Sequence, residues 1–195
     1  MKYLLFLFLS ILCASDDNAP ANRTKDRQVD IKHIKINVSV DLKAKSVFGH
    51  VTHTLSPLRS NLSSFVLHGD DMKIRRIRMG GKDIKYTHSG NEIHIDLPNP
   101  IGWDETVDVR IDYIANPREG TYFFGPDDTY PNQPWQAWTQ GETEDNHHWV
   151  PLYDYPNERA TFETILTVDQ RFQAVSNGEL LSVEKNKDGT HTWHW

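Results

Sequence analysis

The chain's 195 residues suffice for one domain with a short tail. Its 37% hydrophobic and 25% charged content excludes a disordered polymer. A net charge of −6 leaves no basic footprint, which argues against nucleic acid as a partner.

The first residues read as an export signal. Lys2 supplies a positive start, and Tyr3 to Leu12 is an apolar run too short to span a bilayer. Cys13-Ala14-Ser15 offers small residues for cleavage near Ser15. Residues 1–15 are therefore expected to be a signal peptide, and the protein to be exported (secreted, periplasmic or cell-surface). Cys13 is the only cysteine. Either it leaves with the leader or it carries a lipid anchor, the one route to a membrane this sequence offers. Leu12 is bulky for a lipobox. An exported domain without disulfides must be held by its core. Asn22, Asn37 and Asn61 each head a glycosylation sequon, which matters only in a eukaryotic source.

Residues 16–28 are polar and read as a linker. From Val29 the pattern takes period two: Ile34, Ile36, Val38 and Val40 alternate with Lys35, Asn37, Ser39 and Asp41, a half-buried strand. Further short strands are predicted at 47–55, 64–67, 73–79, 84–88, 92–97 and 106–114. Gly80-Gly81, Ser89-Gly90-Asn91 and Pro98-Asn99-Pro100 punctuate them as turns. Residues 115–160 lose the alternation and gather Pro, Gly, Tyr, Trp and Asp, as a long binding loop would. Strand character resumes at 161–168, 172–175 and 179–184, and again at His191–Trp195, where the sequence stops in mid-alternation. The fold predicted for residues 29–195 is all-β, an antiparallel β-sandwich, ending on a strand that reads as truncated.

Ten histidines call for a metal test. No His-Glu-x-x-His is present, and that motif is what places two imidazoles on one helix face. His147 and His148 are adjacent, so on a strand they would point to opposite faces. No metal site is expected. No Gly-x-Ser-x-Gly elbow offers a nucleophile. Glu142, Glu144, Asp145 and Asp154 could supply paired carboxylates for a small hydrolase, but spacing along the chain does not set their separation.

Gln140 and Glu142 sit two apart. On an extended backbone they would share a face, next to Trp135, Trp138 and Trp149, which would lower the local dielectric. A carboxylate ~4 Å from an ammonium contributes about 4 kcal/mol at an effective dielectric near ~20, enough to prefer a free amino terminus over an internal peptide bond. Gly141 between them would let another backbone approach. The bland alternative is a polar strand on a sandwich surface.

Thr139-Gln140-Gly141-Glu142, Trp149-Val150-Pro151-Leu152-Tyr153-Asp154-Tyr155-Pro156, Arg159-Ala160-Thr161-Phe162 and Ser176-Asn177-Gly178 occur in that order. Together they resemble the amino-terminal domain of the zinc aminopeptidases of the aminopeptidase N family. The resemblance spans Val29 to Trp195. It implies a saddle-shaped β domain packed on a C-terminal catalytic domain that holds the zinc. It further implies that Glu142 binds the α-ammonium of a peptide substrate, that Gln140 shapes the first side-chain pocket, and that Asp154 and Pro156 set the loop. The family's Gly-x-Met-Glu-Asn and His-Glu-x-x-His are absent, so this chain by itself is expected to bind no zinc and cleave nothing. His147 and His148 stand where many members carry Arg. The alternative is a non-catalytic secreted sandwich that binds peptide or glycan through Trp135, Trp138 and Trp149.

Overall fold

A computed structural model describes residues 26–195. The expected leader, the Cys13 anchor and the linker as far as residue 25 lie outside the described residues. β-Branched and aromatic residues in alternation build β1 (Val29–Asp41), β2 (Ser46–Pro57), β3 (Leu62–His68) and β4 (Met72–Met79). A short β5 (Lys82–Asp83) precedes β6 (Tyr86–Ser89), which covers the later part of the strand expected at 84–88. β7 (Glu92–Ile101) and β8 (Val107–Ala115) complete this half. Pro98-Asn99-Pro100 is not a turn but an irregular stretch inside β7. The pairing there jumps from Asp96 opposite Ser64 to Ile101 opposite Leu62, because proline cannot donate to the ladder.

Two strands missed by periodicity, β9 (Thr121–Phe124) and β10 (Gln136–Thr139), form a separate hairpin within the aromatic segment. β11 (Thr161–Asp169), β12 (Ser182–Lys185) and β13 (Thr190–His194) follow. Residues 172–175 are not a strand.

One sheet has eight strands in the order β12-β13-β11-β1-β2-β8-β4-β5, and a second has three in the order β3-β7-β6. The all-β, mainly antiparallel architecture is as expected, with one parallel pair, β1 and β11, from His33–Thr161 to Ser39–Thr167. The long excursion between them carries the chain back in the same direction, as a parallel neighbour requires.

β1 bulges between Ile31 and His33. One extra residue reverses the side-chain phase. Val29 and Ile31 before the bulge and Ile36 and Val38 after it therefore enter the same core. That core also takes Val51 and Leu55 of β2, Phe65 and Leu67 of β3, Ile93 and Ile95 of β7, and Val109 and Ile111 of β8. Each such side chain contributes ~1.5–3 kcal/mol by leaving water. β12 and β13 add nothing to this core, and β11 adds only the half-buried Leu166.

Candidate functional site

The β9–β10 hairpin presents the candidate residues. Its ladder runs from Gln136–Phe124 to Thr139–Thr121. One further bond follows, from the Gln140 N–H to the Gly120 carbonyl at 3.0 Å. Gly120 is required there: its φ is +72°, and a Cβ would lie 1.9 Å from the Asp145 carbonyl oxygen. The chain then turns, the Asp145 N–H donating to the Gly141 carbonyl at 3.1 Å. A Cβ on Gly141 would meet the Asn146 side chain at 2.2 Å, so it is that side chain, from the same loop, that approaches Gly141. The Glu142–Thr143 peptide is cis. A 3-10 turn, Asn146–His148, follows.

Gln140 and Glu142 therefore do not share a strand face: β10 ends at Thr139, and Glu142 lies in the turn. Both are exposed. The three tryptophans have contacts of their own. Trp135 lies against Gly125. Trp138 stacks at 6.1 Å on Phe124 and tilts over Tyr122 at 4.7 Å. Trp149 donates its Nε1–H to Asn146 at 3.4 Å.

Asp154 is buried beneath this turn. It accepts the His147 N–H and the His147 Nδ1–H, each at 2.9 Å, and the Asn146 amide at 3.4 Å. Its own N–H donates to His68 Nδ1 at 3.2 Å. Pro156 is exposed, two residues further on. The hydrogen bond that His147 donates to Asp154 raises the His147 pKa above its ordinary value. His148 Nδ1 donates to Asp71 at 2.9 Å. Burial opposes ionisation of Asp71, but hydrogen bonds from the Arg118 N–H, the Arg118 guanidinium and His148 outweigh it and hold the carboxyl below its usual range. The two histidine rings stack with centroids 4.5 Å apart. On a 3-10 turn they lie side by side, contrary to the strand-based expectation that they diverge.

Two anchors fix this loop to the sandwich. His68 and Leu152 exchange backbone hydrogen bonds of 2.7 and 3.0 Å. His53, fully buried in β2, donates its Nε2–H to the Pro151 carbonyl at 2.9 Å. Burial pushes His53 down to a pKa of about 4. Sequence reasoning passed over His53, His68 and the Asp70-Asp71 corner. The only available signal was polar residues at core positions of otherwise alternating strands.

Beside the loop lies a broad concave face of about 1250 Å³. Ile34, Ile36 and Val38 floor it, with Phe162 and Leu166 of β11. Asp154 and Pro156 line it, and its rim passes through Thr139 and Thr143 on either side of the Gln140-Gly141-Glu142 segment. Gln140 and Glu142 themselves do not line it. At 1250 Å³ the face exceeds the usual ~300–1,000 Å³ of a small-molecule pocket.

A two-layer β domain with a loop clasped over a concave sheet is the class these features define. The profile of the Peptidase M1 N-terminal domain family matches residues 30–195, and the chain belongs to that family. Among curated proteins it is similar to leukotriene A-4 hydrolase of Xenopus laevis, with 22% identity over 163 residues, 80% of this chain and 27% of that protein. Among solved structures it resembles an M1 zinc metallopeptidase from Deinococcus radiodurans, with TM-score 0.74 and 21% identity over 87% of this chain and 39% of that one. It also resembles leukotriene A4 hydrolase from Saccharomyces cerevisiae, with TM-score 0.70 and 13% identity over 86% of this chain and 27% of that one. These structural likenesses are likenesses of fold. The chain spans between about a quarter and two fifths of the length of these relatives. Its 195 residues contain no His-Glu-x-x-His, so they do not fit the family zinc.

Proposed function

We propose that this chain is the amino-terminal, substrate-facing domain of an exported zinc aminopeptidase that removes residues from the amino termini of peptides. The observation that carries this reading is the placement of Gln140 and Glu142. They stand exposed just beyond β10, on a turn clamped by Asp154 and flanked by Thr139 and Thr143, which line the concave face. Glu142 would hold the α-ammonium of a peptide and Gln140 would border its first side chain. Pro156 would shape the wall of the same face.

Such a site is half built. In bulk water an ion pair at ~4 Å gains about 1 kcal/mol, against about 4 at an effective dielectric near ~20. A second surface must exclude water before the carboxylate discriminates. The half-exposed apolar floor around Phe162 and Leu166 would receive that surface, a C-terminal catalytic domain supplying zinc and general base.

The test is the coding sequence beyond Trp195 and the longest protein it encodes. Glu142→Gln in that protein should raise KM for an aminoacyl-arylamide more than it lowers kcat. An unchanged KM would refute the role. Zinc-dependent cleavage by the 195-residue chain alone would sink the division of labour.

One observation favours a second reading. Trp138 is half exposed and stacks with Phe124 and Tyr122. This aromatic platform suits a non-catalytic secreted module that binds peptide or glycan. Saturation transfer from Trp138 to an oligosaccharide, lost in Trp138→Ala, would support it.

A further inference from the structure

The 3-10 turn that follows Glu142 packs against the corner between β3 and β4. The Asp70 N–H donates to the His147 carbonyl at 2.9 Å, so the two backbones are fastened together. Asp71, the next residue, is held at φ 54°, a conformation that few residues other than glycine adopt. One ligand atom each from Asp70, His147 and His148 lies within 4.8 Å of the others. A second set, Glu119, Asp145 and His148, satisfies the same separation and shares His148.

We infer that this corner is a binding site for a divalent transition-metal ion, with His147, His148 and Asp70 as ligands and Glu119 or Asp145 completing the shell beside His148. Three features carry the inference. First, each imidazole has one nitrogen fixed by a carboxylate. His147 commits Nδ1 to Asp154 and His148 commits Nδ1 to Asp71, each at 2.9 Å. A ring that donates Nδ1–H to a carboxylate keeps the Nε2 lone pair for a metal, and the carboxylate raises its basicity. Second, the donors are mixed. Two imidazoles with carboxylates favour zinc, cobalt or nickel over magnesium or calcium, which take oxygen shells. Third, little movement is needed. Two ligands at ~2.0–2.1 Å from a tetrahedral ion stand ~3.4 Å apart, so donors within 4.8 Å close the site by side-chain shifts of about an ångström. Glu119 is exposed and already 3.5 Å from His148 Nε2, so it can adjust freely. Asp70 gives one oxygen to the Asp71 N–H at 2.8 Å and keeps the other.

The corner touches no His-Glu-x-x-His, and it would act on the turn bearing Glu142 by locking it. The experiment is a Co²⁺ titration of the 195-residue chain, followed by its visible absorption and by Zn²⁺ competition. The background carries Cys13→Ser, so that no thiol competes. A single saturable equivalent is expected, displaced by Zn²⁺. His148→Gln, which belongs to both donor sets, should weaken binding by at least about tenfold, and His147→Gln and Asp70→Asn should weaken it as well. His33→Gln with His194→Gln, around Glu163 on a different surface, should leave it within about twofold. Substitution could loosen the turn, so thermal unfolding is measured for every variant with and without metal. Zn²⁺ should raise the Tm of the parent in a concentration-dependent way and raise that of His148→Gln less at every metal concentration. Absence of saturable uptake, parent-like binding by His148→Gln, or an equal loss in the His33/His194 control would overturn the site.

Discussion

The sandwich half and the loop half are held by different forces. In the sandwich, Val51, Leu55, Leu67, Ile77, Ile93, Ile95, Val109 and Ile111 are fully buried, and the stabilising term is apolar area without direction. In residues 116–160 the buried apolar anchors are few, chiefly Val150 and Pro151. There the chain is shaped by directional bonds from His53, His68, His147 and His148 to carbonyls, carboxylates and backbone N–H groups. The sandwich should therefore respond to changes in volume, and the loop to the loss of a single donor or acceptor.

The largest test removes volume. Phe65, buried between the two sheets, should cost ~3–5 kcal/mol when truncated to alanine. Urea denaturation measures this, and the midpoint should fall while the turn around Asp154 unfolds only with the whole domain. A loss under ~1 kcal/mol would contradict a shared core.

Acid tests the junction between the two halves. Unfolded, His53 titrates near 6.5, whereas the folded chain holds it at about 4 because burial disfavours the charge. Between those values the unfolded state binds more protons, so stability is complete above ~6.5 and falls as pH drops towards ~4. The gap, at ~1.36 kcal/mol per pH unit, sets a ceiling of ~3 kcal/mol. His147 runs the other way: its raised pKa gives a contribution that is full below ~6.5 and fades as pH rises through the folded value. His53→Leu should therefore flatten or reverse the slope of stability against pH in this window. An unchanged slope would assign the acid sensitivity to other groups.

Gly120→Ala probes the loop alone. A methyl group 1.9 Å from a backbone carbonyl, at φ +72°, cannot be relieved by a side-chain rotation. A cost of ~1–3 kcal/mol is expected, with faster amide exchange at Gln140 and Asp145. Protection elsewhere in the core should fall only in line with global stability.

The same division decides what could be read from residues alone. Alternating Ile and Val located β1, β2, β7 and β8, because a half-buried strand imposes period two on apolar residues. The bulge after Ile31 was invisible for a related reason: it keeps the face constant by breaking the period once. Short β9 and β10 left no period to find. The loop was legible as a motif but not as a shape. Gln140 and Glu142 were picked out by residue type, yet their strand geometry was wrong. Contacts between Gly141 and Asn146, and between Asp145 and Gly120, bend the chain there, and neither pair is visible as a pattern. His147-His148 failed likewise: a strand would separate them, whereas the 3-10 turn stacks them.

The smallest expected effect on stability is also the most discriminating for function. Glu142→Gln alters an exposed side chain in a turn, and surface changes of this kind stay within about ±0.5 kcal/mol. The clasp beneath it, from His147 and Asn146 to Asp154, does not use the Glu142 carboxylate. Urea and thermal unfolding of the variant should therefore match the parent. A recognition role makes a separate demand. If the carboxylate holds an ammonium, discrimination between a free and an acetylated peptide amino terminus should shrink in Glu142→Gln once a second surface excludes water, and should already be weak in the 195-residue chain. Equal discrimination in parent and variant, with stability unchanged, would leave Glu142 without a part in binding and shift the reading towards the Trp138 platform. Loss of stability instead would mean that the turn depends on the carboxylate, and that the two halves are less separate than their bonding implies.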